Sequence, residues 1–365
     1  MQLKSICSAA LLAITAFSSG QTIKYTDYLG QIKVAGPILP LAADEDGRLF
    51  FGTFDGTASK LYMIEQPETE MGNAAAAGVL IAEFPEFDPG RGLQSLQVTS
   101  AGDLLVAGDT GKADQPNIWK YNQLAGGASA TFAKDESFSA AAAAKSARRS
   151  GVSIFSDTPS SKILIANGLN NMDFFGFDGQ PISGPFRVCN NYMREGLYNS
   201  TDNVFYPLRN GSGIGEMLRN YVSSVNTTDG GNLTTTTLIP DGAPATNLGS
   251  ARQNGYYFAA QNQLITLDVE PTGVAQTTAP TVRIWDIKDS GTSLSLAYRI
   301  DGTSETEKFA SIGDAVVSKN RLYISSSGLK TIYVFGPATA SVKPWSRYED
   351  ATAIRNTSAI EASRR

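Results

Sequence analysis

The chain of 365 residues is 42% hydrophobic and 18% charged and holds 35 glycines, the composition of a globular protein with many turns. Its formal net charge of −5 excludes a nucleic-acid partner, because phosphate binding needs a basic footprint and the densest basic spot is Arg148-Arg149. The sequence contains no histidine, which removes Ser-His-Asp and Cys-His nucleophilic sites, His-ligated transition metals and His-based hydride abstraction.

In chain order, the first element is a leader. One lysine (Lys4) precedes an apolar run from Ile6 to Phe17 and then Ser18-Ser19-Gly20, the pattern of a secretory signal peptide cut near Gln21. The run is too short to span a bilayer, and no other segment reaches 18 apolar residues, so no membrane span is expected. Cys7 lies in this leader, leaving Cys189 alone in a mature chain that forms no internal disulfide and depends on its core. A secreted or periplasmic monomer is the expected setting. Five Asn-x-Ser/Thr sequons, at Asn199, Asn210, Asn226, Asn232 and Asn356, have meaning only in a eukaryotic host.

From Thr22 to Ala35 comes a strand (Ile23-Lys-Tyr-Thr) suited to completing the last unit of a closed ring. Six units of shared grammar follow: apolar strand, tight polar turn, second apolar strand, Gly/Asn/Ser loop, aromatic-rich third strand. The first turns at Gly47 and ends in Leu61-Tyr-Met-Ile; the second turns at Gly102 and ends in Asn117-Ile-Trp-Lys-Tyr. The third turns at Ser161 before Asp173-Phe-Phe-Gly-Phe, and the fourth, the weakest, turns at Asn203 with no clear aromatic strand after it. The fifth is read as turning at Asn254 before Leu264-Ile-Thr-Leu-Asp, and the sixth turns at Asn320 before Thr331-Ile-Tyr-Val-Phe. Turn-to-turn spacings of 55, 59, 42, 51 and 66 residues bracket the roughly 40 to 50 residues of a propeller blade with loop insertions. Gly78 to Phe84, Thr235 to Ile239 and Thr281 to Ile287 are the expected outer strands.

The expected fold is therefore an all-β β-propeller over residues 21–340 with six blades. A seventh, degenerate blade has room between Pro207 and Thr246. A β-sandwich is the competing architecture, but its strands do not repeat one three-part pattern six times. Glu136 to Arg149 reads as a short Ala-rich helix inserted between the second and third units, with acid first and bases last. Residues 341–365 are polar and weakly patterned, a tail expected to be disordered.

The sixth unit, Ile312-Gly-Asp-Ala-Val-Val-Ser-Lys-Asn-Arg-Leu-Tyr-Ile with Lys330-Thr-Ile-Tyr-Val-Phe-Gly-Pro, resembles the blade consensus of NHL-repeat and gluconolactonase-like propellers of the six-bladed, TolB-like superfamily. Asp44-Glu-Asp-Gly-Arg-Leu-Phe-Phe and Ser100-Ala-Gly-Asp-Leu-Leu-Val match it more loosely. Thr281-Val-Arg-Ile-Trp-Asp-Ile resembles a WD-repeat ending, occurring once and without a Gly-His partner.

Counting back six to eight residues from each turn nominates a ring at the channel mouth where the innermost strands begin: Gln94, Arg149, Glu195, Asn247 and Asp314. Of these, Glu195, Asn247 and Asp314 offer oxygen ligands for Ca²⁺. The gluconolactonase-like resemblance implies a Glu/Asn/Asn/Asp metal set of this kind. The chain departs from that set in order, lacks one Asn, and reads Gly313-Asp314 where the family has Asp-Gly. Solvated strand ends are the other reading of all five.

Three further motifs are assigned to turns or left weak. Asp44-Glu-Asp-Gly47 lacks EF-hand spacing and reads as a β-turn, and Asn167-Gly-Leu-Asn-Asn171 reads as a hairpin loop. Gly211-Ser-Gly-Ile-Gly215 has no βαβ context for binding phosphate. The function expected is a non-enzymatic module that binds a protein or glycan through one channel mouth. The alternatives are a divalent-metal-dependent lactonase-like hydrolase and a structural envelope protein.

Overall fold

Two apolar faces on each central strand decide the architecture. Leu104-Leu-Val-Ala places Leu104 and Val106 on one side of the strand and Leu105 and Ala107 on the other, and all four are buried. Such strands need a neighbouring sheet on each side, and a ring of sheets supplies one. The computed structural model describes residues 23–54, 56–87, 92–110, 117–126, 130–142, 149–168, 171–187, 193–209, 218–224, 232–238, 251–269, 281–291, 293–301, 312–326, 329–338 and 348–350.

The described strands fall into six sheets of a β-propeller. The first holds β2 (Ile38–Ala43), β3 (Leu49–Phe54), β4 (Ser59–Ile64) and β5 (Val79–Phe84) in that order. The second holds β6 (Leu93–Val98), β7 (Leu104–Gly108), β8 (Ile118–Ala125) and β9 (Thr131–Lys134). The third is β10 (Gly151–Thr158), β11 (Ser161–Gly168), β12 (Asn171–Gly176) and β13 (Pro181–Arg187). The fourth is β14 (Met193–Asn199), β15 (Val204–Arg209), β16 (Leu218–Ser224) and β17 (Asn232–Leu238). In the fifth, β18 (Ala251–Phe258), β19 (Gln263–Val269), β20 (Thr281–Lys288) and β21 (Ser293–Asp301) are joined by a short outer strand, β25 (Tyr348–Asp350). The sixth runs β22 (Ile312–Ser318), β23 (Arg321–Ser326), β24 (Thr331–Pro337) and β1 (Tyr25–Lys33). The expected N-terminal closing strand is thus found, pairing antiparallel with β24 from Tyr25 opposite Pro337 to Lys33 opposite Thr331.

Among the described residues, each seam between neighbouring sheets has its own buried cluster. Phe50 and Leu61 meet Leu96 and Trp119 between the first and second sheets. Phe51, the next residue along β3, faces the opposite way and meets Tyr323 and Val334 of the sixth. The fifth and sixth sheets share Ile284, Tyr298, Ile324 and Phe335, and the fourth and fifth share Tyr206, Leu264 and Trp285. Ile165, Phe174 and Phe205 join the third to the fourth. Each fully buried aromatic or branched side chain stabilises by about 1.5–3 kcal/mol relative to exposure, so each seam is a substantial local core.

The remaining seam, between the second and third sheets, includes the expected helix, α1 (Glu136–Ala142). Its Phe138 and Ala142 are buried against Ile118, Val152 and Phe175, which makes the insertion a wedge between two blades. Asp135 caps it, accepting from the Phe138 N–H at 3.0 Å and from the Ser137 hydroxyl at 2.6 Å. The Ser137 bond leads the causes that hold the Asp135 carboxyl down at about 2, with the Phe138 N–H, Asn122 and Lys120 adding to it. A carboxyl depressed in the folded state stabilises above its unfolded pKa and loses that contribution as pH falls through the folded one. Asp135→Ala should lower stability by about 1 kcal/mol at pH 7. The difference from the parent should shrink as pH falls from about 4 through 2, read by urea unfolding at each pH; a difference undiminished at pH 2 would sink this account.

Three sequence expectations need correction. The fifth unit does not turn at Asn254, which lies inside β18; its inner hairpin turns at Asn262, in the left-handed region at φ 49°. Moving that anchor makes the last spacings 59 and 58 residues, in line with the first two. Thr281 to Ile287 is consequently the third strand of its sheet, and the outer positions fall to β21 and β25. The segment from Pro207 to Thr246 contributes β16 and β17, the third and fourth strands of the fourth sheet. Apart from these three, Tyr348–Asp350 is described as a short strand pairing with β21.

Candidate functional site

All six innermost strands start on the same face of the ring, called here the mouth face, and turn back at short hairpins on the opposite face. Five of them carry a β-bulge close to that start: between Ile38 and Leu41, Leu93 and Ser95, Met193 and Glu195, Arg252 and Gly255, and Ile312 and Ala315. A bulge inserts an unpaired residue and sharpens the local twist, which frees backbone groups to bond the adjacent sheet where strands converge. The mouth is therefore built from bulged residues and the side chains beside them.

Asp314 sits in the last of these bulges, 3% exposed. One carboxylate oxygen accepts from the Leu41 N–H of the first sheet at 2.8 Å, and the other from the Ala315 N–H at 2.8 Å. The Asp314 N–H donates to Ser325 Oγ at 2.7 Å, and that hydroxyl donates to the Leu39 carbonyl at 3.0 Å. Asp314 and Ser325 thus latch the sixth sheet to the first. Serines do the same elsewhere. Ser95 Oγ exchanges bonds with the Val152 N–H and carbonyl, both at 3.2 Å, and Ser153 Oγ donates to the Gly196 carbonyl. Ser59 Oγ accepts from the Leu93 N–H at 3.0 Å.

The other nominated residues fall as follows. Gln94 is the bulged residue of β6 and is 2% exposed. Arg149, just ahead of β10, is buried and its Nε donates to Asp173 on β12, a pair enclosed within the third sheet. Gln94, Arg149 and Asp314 are thus buried, and none is a solvated strand end. Glu195 follows the β14 bulge opposite Leu208, and its side chain lies outside the described residues, as does Asn247. Asn247 was nominated by the turn misplaced at Asn254, and counting back from Asn262 leads instead into β18 at its bulge. Among the described residues no group of three Asp, Glu or Cys side chains gathers to hold a metal ion.

Of the motifs read as turns, Asp44 to Gly47 is one: the Gly47 N–H donates to the Asp44 carbonyl at 3.1 Å, and Arg48 is fastened to the Asp44 carboxylate. Asn167 to Asn171 joins β11 to β12, and 211–215 lie outside the described residues. The sequon at Asn199 is closed by burial. Its amide donates to Asp202 at 2.8 Å and accepts from the Thr201 and Asp202 N–H groups. The Trp285 indole N–H donates to Thr266 at 2.9 Å, so that tryptophan is a buried strut between β20 and β19. Burial raises the hydroxyl pKa of Tyr206, whose O–H donates to the Gly291 carbonyl at 2.9 Å. A cavity of about 260 Å³ lies off the mouth, at the far rim of the sixth sheet, lined by Asp27, Lys319, Asn320 and Arg321 among others.

The serine latches were missed by sequence reasoning. Their signal was present, as a serine one or two residues after the start of an inner strand in Leu93-Gln-Ser and Val152-Ser, but serine is too common in this chain to stand out.

No protein-family model and no curated protein matches the chain. Among solved structures it is similar to Raptor of Chaetomium thermophilum, with 10% identity and a TM-score of 0.50 over 88% of this chain; it spans only 30% of that one. It also aligns with the WD40 β-propeller domain of Doa1, with 11% identity and a TM-score of 0.49, covering 87% of this chain and 99% of that. A third is the β-propeller domain of Cps50 (Swd1) from Myceliophteria thermophila, with 12% identity and a TM-score of 0.46, covering 82% and 83%. Likenesses at identities this low leave the function to the residues themselves.

Proposed function

We propose that the chain is a secreted, six-bladed propeller that binds a protein partner through its mouth face. The observation that carries this reading is the asymmetry between the two faces. On the far face all connections between neighbouring strands but one run to seven residues or fewer, the exception being the fourteen between β4 and β5, whereas seven connections on the mouth face run to between eight and sixteen. Long loops on a rigid scaffold are where binding residues concentrate. Asp314 and Ser95 at the mouth are engaged in joining blades, which favours recognition by loops over chemistry at those two residues. The blade motif of the sixth unit supports kinship with NHL-like propellers, and the leader at residues 1–20 supports secretion.

Photo-crosslinkers placed at Gly56 and Leu329, exposed on mouth-face loops, are expected to capture a protein that crosslinkers at Glu45 and Ser160 on the far face do not. Equal labelling from both faces, capture of a glycan alone, or Ca²⁺-dependent hydrolysis of lactones by the purified chain would overturn the reading.

A further inference from the structure

The cavity at the far rim of the sixth sheet measures about 260 Å³, and Asp27, Leu29, Lys319, Arg321, Gly336 and Pro337 are among the residues that line it. Register explains why it is there. Asp27 of β1 lies opposite Gly336 of β24. On the other edge of β24, Leu322 lies opposite Phe335, which puts Arg321 of β23 opposite Gly336 as well. Residues directly opposite one another share a face of the sheet, so an acid, a glycine and an arginine form one row. The Cα atoms of Asp27 and Arg321 are two strand spacings apart, about 9.6 Å, with no side chain on Gly336 to fill the middle. Val334, on the same face two residues earlier, packs into the seam with the first sheet. The row therefore opens toward that sheet, where the stem of Lys319 crosses the Gly47 turn. Leu29 overhangs the glycine: a Cβ on Gly336 would lie 3.0 Å from Leu29 Cδ1, yet the leucine is 44% exposed.

The charges around this slot balance. Lys319 and Arg321 supply two cations, Asp27 supplies one carboxylate, and Glu68, 3.8 Å from Arg321, supplies a second. A simple anion or cation gains little from such a set, whereas a ligand that carries both charges gains at each end. Asp27 is 2% exposed. An ionised carboxylate has about four lone-pair sites, so a bond within the protein does not exhaust what it can accept. The volume falls below the roughly 300–1,000 Å³ of sites that enclose drug-sized ligands, so the occupant is small. Leu29 and Pro337 give the slot apolar walls between its charged ends.

We propose that the slot binds a small apolar α-amino acid as its zwitterion. The ammonium group donates to Asp27, the carboxylate accepts from Arg321 with Lys319 beside it, and the side chain rests on Leu29 and Pro337. The slot lies off the mouth, so this site is independent of the binding-module reading.

By calorimetry the full chain is expected to bind L-leucine saturably. Isocaproate, which lacks the ammonium group, and isoamylamine, which lacks the carboxylate, should each bind at least about tenfold more weakly, because each leaves one charged hydrogen bond unmade. Arg321→Gln should lose at least about tenfold for L-leucine and keep the parent's affinity for isoamylamine. Asp27→Asn should lose as much for L-leucine and keep the parent's affinity for isocaproate. Lys162→Gln, at an exposed position on another sheet, should bind L-leucine as the parent does. Should the buried Asp27→Asn variant fail to fold, the pattern of Arg321→Gln, whose side chain is half-buried, decides alone. No saturable binding of L-leucine, equal binding of isocaproate or isoamylamine, or unchanged L-leucine binding by folded Arg321→Gln would each overturn the site. A chain that captures a protein at its mouth face and takes up no L-leucine would leave the binding-module reading intact and remove only the slot.

Discussion

Gly313→Ala is expected to destabilise the protein by about 3 kcal/mol, the upper end of the range for overpacking a filled interior. A Cβ on Gly313 would lie 2.5 Å from Ser325 Oγ, 2.6 Å from the Ile38 carbonyl oxygen and 2.8 Å from that of Leu39. Two of those three atoms are backbone of the neighbouring sheet, at the seam where the ring closes, so no flexible side chain can swing away. Relief requires β2 to withdraw, which would break the bonds from Asp314 to the Leu41 N–H and from Ser325 to the Leu39 carbonyl. Gly126→Ala is the control: its Cβ would meet only Gln123 Nε2, at 3.4 Å, and a change within about 0.5 kcal/mol is expected there. Asp314→Ala attacks the same latch from the other side, leaving two buried N–H groups without their acceptor, at about 1–3 kcal/mol each. Asp314→Asn keeps one acceptor oxygen and should fall between that variant and the parent. Urea unfolding of the four variants decides the matter. If Gly313→Ala matches Gly126→Ala, the seam is not packed as described. The calcium-ligand expectation for Glu195, Asn247 and Asp314 makes a different prediction: Ca²⁺ should raise the parent's melting temperature and lose that effect in Asp314→Asn.

The same dipeptide shows what was legible in the sequence. Gly313-Asp314 stood out as a reversal of the Asp-Gly in the family it resembles, but its purpose is visible only across the seam, because the atoms that forbid a Cβ belong to β2, more than 270 residues away in sequence. The units themselves were legible because a hairpin writes its turn locally. Gly47, Gly102, Asn203 and Asn320 all adopt positive φ, and each is a residue type that tolerates it. The fifth unit misled for the same reason. Asn254-Gly255 has the composition of a tight turn, yet Gly255 lies inside β18, where an added Cβ would meet the Ile265 carbonyl oxygen at 2.5 Å. Glycine there serves close approach, and the true turn at Asn262 follows Phe258-Ala-Ala-Gln, which lacks the Gly, Pro, Asp and Ser that mark a turn. Bulges and charge placement were illegible for a further reason. Both depend on register, and register assembles residues such as Asp27 and Arg321 that no window along the chain would bring together.

Ring closure also sets the largest effect expected from any change to this chain. A chain beginning at Ala35, without β1, should fail to fold cooperatively. The missing segment contributes Tyr25 and Ile32 of β1 and the adjoining Val34, exposed by 2%, 0% and 5%, to the cores on both sides of the sixth sheet. Three such side chains are worth about 1.5–3 kcal/mol each, before counting the ladder to β24. The Tyr25 N–H also donates to the buried Tyr298 hydroxyl at 3.0 Å, which ties the strand to the fifth sheet. Together these losses approach the roughly 5–15 kcal/mol that separates a typical folded domain from its unfolded state. The ring then has no partner for the outer edge of β24, and an open hydrophobic edge invites association with other chains. The truncated chain should show no sigmoidal thermal transition by circular dichroism, and a synthetic peptide spanning residues 23–34 should restore one. Ile32→Asp in the full-length chain, which keeps the ladder but charges its buried centre, should lower the melting temperature without abolishing the transition. A truncated chain that melts like the parent would mean that the ring holds without its closing strand, and that the contacts of β1 with the fifth and first sheets add little to what the other seams supply.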